Sequence, residues 1–172
     1  MAKTITMELN TESITRAIKE VRLYEQWVLA KEHELRTRLA EIGLRVASIK
    51  FSSAKYDGNN DVTVTISDDG DTATINASGE AVVFIEFGSG AKLGYGHPEA
   101  GKFGYGPGTW SGDPSKGGKG HWDEKTKDGR YKGWWFDDGK HTYGNPPAMA
   151  MVTARDTILA ELTRIATGVF RT

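Results

Sequence analysis

Three histidines, His97, His121 and His141, lie in one stretch of the chain, each with an acid nearby: Glu99, Asp123 and Asp137. Neutral imidazole and carboxylate both ligate metals, so a small metal-dependent hydrolase is one chemistry these residues suggest. Their spacing matches no zinc pattern, and no metal ligand is assigned. Ser89 sits between Gly88 and Gly90 but lacks the wider spacing of a nucleophile elbow, so the glycines read as a turn. Asp68, Asp69 and Asp71 lack the ligand spacing and terminal glutamate of a calcium loop and read as a hairpin turn. Gly94-Tyr95-Gly96 and Gly104-Tyr105-Gly106-Pro107-Gly108 lack the lysine and following helix of a phosphate-binding loop. The expectation is a protein that is not an enzyme, with no catalytic residue and no cofactor.

Glu86 is the most informative single residue. It interrupts the apolar run Val82-Val83-Phe84-Ile85-Glu86-Phe87, where burial without a partner is costly. It should pair with an arginine, Arg155 being one choice, or cap a neighbouring backbone. A catalytic role needs a second polar group close by in sequence, and none is evident.

Composition narrows the classes. The chain has 172 residues, 38% hydrophobic and 26% charged, which suits one folded domain. The formal charge of -1 gives no global pull toward nucleic acid or a membrane. There is no cysteine, so disulfides, thiolate metal sites and a cysteine nucleophile are excluded. No apolar run approaches the roughly 20 residues that span a bilayer, and the start lacks the pattern of a signal peptide.

The elements that must position these residues follow from periodicity. Residues 4–9 alternate with period two and read as a strand. Asn10 or Thr11 offers a helix N-cap, with Glu12 in the first turn. Ile14, Ile18 and Val21, then Val28, Leu35, Leu39, Ile42, Val46 and Ile49, keep helical spacing, as one long helix or as two with a break near residues 24–27. Residues 62–66 and 72–76 flank Asp68-Asp69-Gly70-Asp71 as a β-hairpin. Residues 81–87 fit either a helix or a strand. A C-terminal helix beginning at Pro146-Pro147 carries the stripe Met151, Ile158, Leu162, Ile165 and Val169.

Residues 88–146 form an insertion holding 16 of the 21 glycines and four of the five tryptophans, too poor in aliphatic residues to build its own core. Residues 132–136 and 140–143 flank Asp137-Asp138-Gly139 as a second hairpin. Residues 91–127 read as a long mobile loop whose deletion leaves the rest folded. Alternating glycine and aromatic residues suit arms that insert rings into a partner surface. The fold class is therefore α+β: a small antiparallel sheet against a long N-terminal helical region and a C-terminal helix, with a Gly/Trp-rich insertion, in a single domain of residues 1–172.

The run Ala81-Val82-Val83-Phe84-Ile85-Glu86-Phe87-Gly88-Ser89-Gly90 resembles a signature of the tailed-bacteriophage neck, or tail-completion, family. Members of that family combine an N-terminal helical region, a small hairpin, an apolar run closing in Glu-Phe-Gly-Thr/Ser, and a Pro-Ala element opening a C-terminal helix. Pro147-Ala148-Met149 is similar to that last element, and the stretch 88–146 to the glycine- and tryptophan-rich insertion many members carry. The chain lacks the Pro-x-x-Thr-Gly turn common after the long helix, and has Ala148-Met149-Ala150-Met151 where Pro-Phe is common.

The resemblance implies a structural virion protein, assembled in the host bacterial cytoplasm into a ring, a hexamer in the family's manner. Such a ring joins the head connector (head-closure) protein to the tail terminator or tail tube. DNA passes through its channel without sequence-specific binding, and no membrane is involved. The residues expected at interfaces are Glu86, Phe87, Gly88, Trp110, Trp122, Trp134, Trp135 and Tyr143. Two other classes stay open. Gly133-Trp134-Trp135-Phe136 is similar to the aromatic hairpin of choline-binding repeats, suggesting a cell-wall or carbohydrate-binding module. The other is the metal-dependent hydrolase.

Overall fold

The computed structural model describes residues 5, 6, 8–90, 93, 94, 96–103, 120–122, 124, 125, 127, 133–136 and 139–171, with the backbone alone at 120–122 and 136. It is an α+β fold. In chain order come α1 (Thr11–Ser52), β1 (Thr63–Asp68), β2 (Ala73–Ser78), α2 (Val82–Phe87), β3 (Gly120–Trp122), β4 (Trp134–Phe136), β5 (His141–Thr142) and α3 (Ala150–Arg171).

α1 is one unbroken helix of 42 residues, about 63 Å long at 1.5 Å per residue. Asn10 caps it: its side-chain oxygen accepts from the Ser13 backbone N–H at 2.8 Å, while the Ser13 hydroxyl accepts from the Glu8 N–H. The strand expected at residues 4–9 does not form: Ile5, Thr6 and Glu8 are in no strand, and Leu9 is exposed. Alternation suits a strand only where another strand offers its edge, and here residues 8–13 are spent on the helix cap.

β1 and β2 form the expected hairpin, in register from Thr63↔Ser78 to Asp68↔Ala73. Its turn is built by carboxylates. Asp69 Oδ1 accepts from the Asp71 and Thr72 N–H groups, and Asp68 Oδ1 accepts from that of Gly70. Val64, Ile66, Ile75 and Ala77 share the half-buried face. Arg36 of α1 reaches Asp68 at 3.3 Å and ties the hairpin tip to the helix.

The apolar stripe that periodicity marks on α1 is not its most buried face. Ala40, Gly43, Ala47 and Phe51 are buried, whereas Leu35, Leu39, Ile42 and Val46 are half-buried and Ile49 is exposed. The cause is close approach. A Cβ on Gly43 would collide with the end of Ile75 from the hairpin and lie 2.7 Å from the Ile158 Cδ1 of α3. Small residues let three elements meet there, and the larger ones are left at the flank. On α3, likewise, Ala150 and Ala154 are buried with Ile165 and Val169, while Leu162 is exposed. Ala47, Phe51, Ala81, Ile85, Ala150 and Ala154 make one cluster joining α1, α2 and α3.

Residues 82–87 resolve as a helix. Asp61 fixes its start by accepting from the N–H groups of Glu80 at 2.7 Å and Ala81 at 2.9 Å. α3 begins at Ala150 and not at Pro147. The Ala148 and Met149 N–H groups are instead bonded to the carbonyls of Ile85 and Glu86. Met149 adopts a left-handed φ of 52°, from which α3 departs.

β4 and β5 form the second expected hairpin, and β3 pairs with the other edge of β4. The stretch 91–127 is therefore not a plain loop: residues 120–122 are in a sheet, and His97 and Ala100 are buried.

Candidate functional site

The foot of the insertion is closed by a set of backbone and side-chain hydrogen bonds. Ser89 and Asn145 form an antiparallel bridge, with N–H to carbonyl distances of 2.9 and 3.1 Å in the two directions. The Asn145 side chain locks it. Its oxygen accepts from the Ser89 hydroxyl, and its nitrogen donates to the Phe84 carbonyl at 2.8 Å. Glycine is required where the two stems touch. A Cβ on Gly144 or Gly90 would run into the opposite backbone, and both have φ above +80°. The insertion thus leaves and returns at one point.

Glu86 sits just below this bridge and is 4% exposed. Its two carboxylate oxygens accept from the Met151 N–H at 3.2 and 3.0 Å, and Oε1 also accepts from the Val152 N–H at 3.3 Å. Those are first-turn donors of α3, which lack partners within the helix. A carboxylate there also meets the positive end of the helix dipole. The capping reading of Glu86 is the one the fold uses, and Arg155 is not its partner. Arg155 pairs with Glu99 and Asp156. The Arg155 guanidinium holds the Glu99 carboxyl below its usual range.

His97, eleven residues on, is the partner that sequence spacing did not reveal. Its Nδ1 accepts from the Glu99 N–H at 3.1 Å, so the proton sits on Nε2, which donates to Glu86 Oε1 at 3.2 Å. Phe87 packs against it at a tilt, with ring centroids 4.3 Å apart, and Phe103 packs behind Phe87 at 5.6 Å. Nothing around a histidine in a glycine-rich stretch marks it as core. Asn145 was equally silent, although its place before Pro146-Pro147 signals the end of the stem.

The remaining expected interface residues divide by strand alternation. Trp134 is buried and Trp135 is 37% exposed. Trp134 therefore packs inward, and Trp135 points outward with its cross-strand neighbour His141, ring centroids 4.4 Å apart. Tyr143 extends the row, 4.5 Å from His141. The hairpin is tied to the body where the Thr142 hydroxyl donates to Asp57 at 2.6 Å. Gly88, with φ of 75°, turns the chain out of α2. Trp122 lies opposite Trp134 in the backbone register. Trp110 lies outside the described residues, as do Asp123 and Asp137 of the possible metal set.

Among the described residues, no three His, Asp or Glu side chains are placed to share a metal ion, and no helix is long and apolar enough to cross a membrane. What the site does chemically is bind backbone and align rings: it fixes a stem and holds a row of Trp135, His141 and Tyr143. No family model, curated protein or solved structure matches the chain.

Proposed function

We propose that this chain is a structural subunit of a tailed-phage neck, forming a ring that joins the head connector to the tail and lets DNA pass. The observation that favours this reading is the junction of two sequence motifs. Glu86-Phe87-Gly88-Ser89 and Pro147-Ala148-Met149 are far apart in sequence, yet they meet at the root of the insertion: the Met149 N–H donates to the Glu86 carbonyl at 3.2 Å, and Ser89 pairs with Asn145 just before Pro146-Pro147. A ring needs contacts that pass from one subunit to the next in a fixed direction, and an arm anchored at a rigid root supplies them. Exposed aromatics at its base, Trp135 and Tyr143, suit such contacts. On this reading the chain has no catalytic task.

Two experiments test the reading. Electron microscopy of the purified protein should show closed rings with a central channel. Particles assembled without the protein should accumulate as separate filled heads and free tails. Normally joined particles in its absence would sink the reading.

The partly exposed rings of Trp135 and Tyr143 favour one other reading, a module stacking on cell-wall sugars. Retention on peptidoglycan that is lost in Trp135→Ala, with no ring formation, would select it.

A further inference from the structure

α3 covers only part of α1. The helices run antiparallel, and Phe170 near the end of α3 meets Trp27 edge-on at 6.0 Å. The 16 residues of α1 before Trp27, about 24 Å of helix, project beyond that contact. On this projecting arm Ile14, Ile18 and Val21 step by four and three along one face and are 38%, 49% and 53% exposed. Glu25 continues the same face. A helix end with an apolar stripe and little cover gains stability by packing against something else.

The lower half of the molecule holds a fitting receptor. A groove of about 330 Å³ lies between α1 and α3, floored by Ile42 and Ile165 and rimmed by Arg38, Arg45 and Arg164, with Glu41 the one acid. Arg38 pairs with Glu34 and Arg164 with Glu161. Arg45 has no ion pair among the described residues. Apolar floor and basic rim match the arm's apolar stripe and its Glu25.

The two parts cannot meet within one chain. Ile18 and Ile42 lie on the same unbroken helix, 24 residues and about 36 Å apart. We infer that the projecting arm of α1 docks into the α1–α3 groove of a second copy of this chain. Ile14, Ile18 and Val21 sit over Ile42 and Ile165, and Glu25 lies against the arginine rim. This contact is separate from the insertion and does not depend on the head–tail reading. It holds for a two-fold pair as for a ring.

The test is solution mass measured by light scattering and sedimentation on the full chain. The wild type should be a multiple of 18.8 kDa. Ile18→Glu with Val21→Glu should reduce it to the single-chain mass, with the helical signal retained because both side chains are half exposed. Ile18→Ser with Val21→Ser should do the same more mildly. Glu25→Arg and Arg45→Glu should each weaken assembly about tenfold or more, and their combination should restore most of the loss. A single-chain mass for the wild type overturns the inference. So does assembly that survives both stripe variants, or a charge swap that fails to recover what its single changes lose.

Discussion

Both carboxylate oxygens of Glu86 accept from the backbone N–H of Met151, at 3.2 and 3.0 Å, across 65 residues of chain. One buried side chain thereby serves as the N-cap of a helix it does not belong to. Capping from a distance fixes where α3 starts relative to α2, and so fixes the root of the insertion. Glu86→Ala removes the cap and leaves the buried His97 Nε2–H unpaired, a loss of about 2–4 kcal/mol. Glu86→Gln keeps the shape and one acceptor and should cost about 1 kcal/mol. Chemical denaturation checks both, and a Glu86→Gln loss near zero would show that the charge at the helix end is unimportant.

Gly144 and Gly139 both have left-handed backbones, with φ of 88° and 81°, but different surroundings. A Cβ at Gly144 would strike Ser89, whereas one at Gly139 meets nothing within 4 Å. Gly139→Ala should therefore cost only the conformational strain, about 1 kcal/mol. Gly144→Ala adds a backbone collision and should cost about 2 kcal/mol or more. Comparable melting temperatures for the two variants would show that the stem is looser than the bridge implies.

Gly43 is where α1, the first hairpin and α3 converge. Gly43→Val should cost roughly 1–3 kcal/mol, since Ile75 and Ile158 must both move. Gly43→Ala should be nearly neutral: the helix gains propensity, and the colliding atoms are the ends of flexible side chains. Thermal melts of the pair separate crowding from backbone effects.

Asp61 lies below the usual aspartate range because its carboxylate accepts from the N–H groups of Ala81 and Glu80. Asp69 is lowered by the Thr72 and Asp71 N–H groups, and Asp68 first by that of Gly70. A carboxylate depressed in the folded state contributes stability at pH values above its unfolded pKa, about 3.9. That contribution is lost as pH falls from there through the folded value. The melting temperature should therefore hold near neutrality and drop in acid. Asp61→Asn should be less stable at neutral pH and show a shallower acid decline. An unchanged acid slope in this variant would mean that Asp61 is not among the groups responsible.

The sequence by itself determined the elements whose signals are local. Asn10 and Thr11 mark the start of α1 to within one residue, because a cap needs only residues within one turn of it, and the structure selects Asn10. The acidic turn at Asp68-Asp69-Gly70-Asp71 marks the first hairpin, and the aromatic strands around Gly139 mark the second. The burial cost of Glu86 was also legible, because a carboxylate in an apolar run must be satisfied whatever the fold. Only the tertiary structure decided what satisfies it: the first turn of α3 and His97, neither near it in the chain. It likewise decided that the small face of α1, and not its apolar stripe, packs inward. Hydrophobic periodicity records which face avoids water, but how closely helices approach depends on what the neighbouring element brings to the contact. Here Ile75 and Ile158 reach into the space left at Gly43, a meeting of three elements that no local spacing encodes.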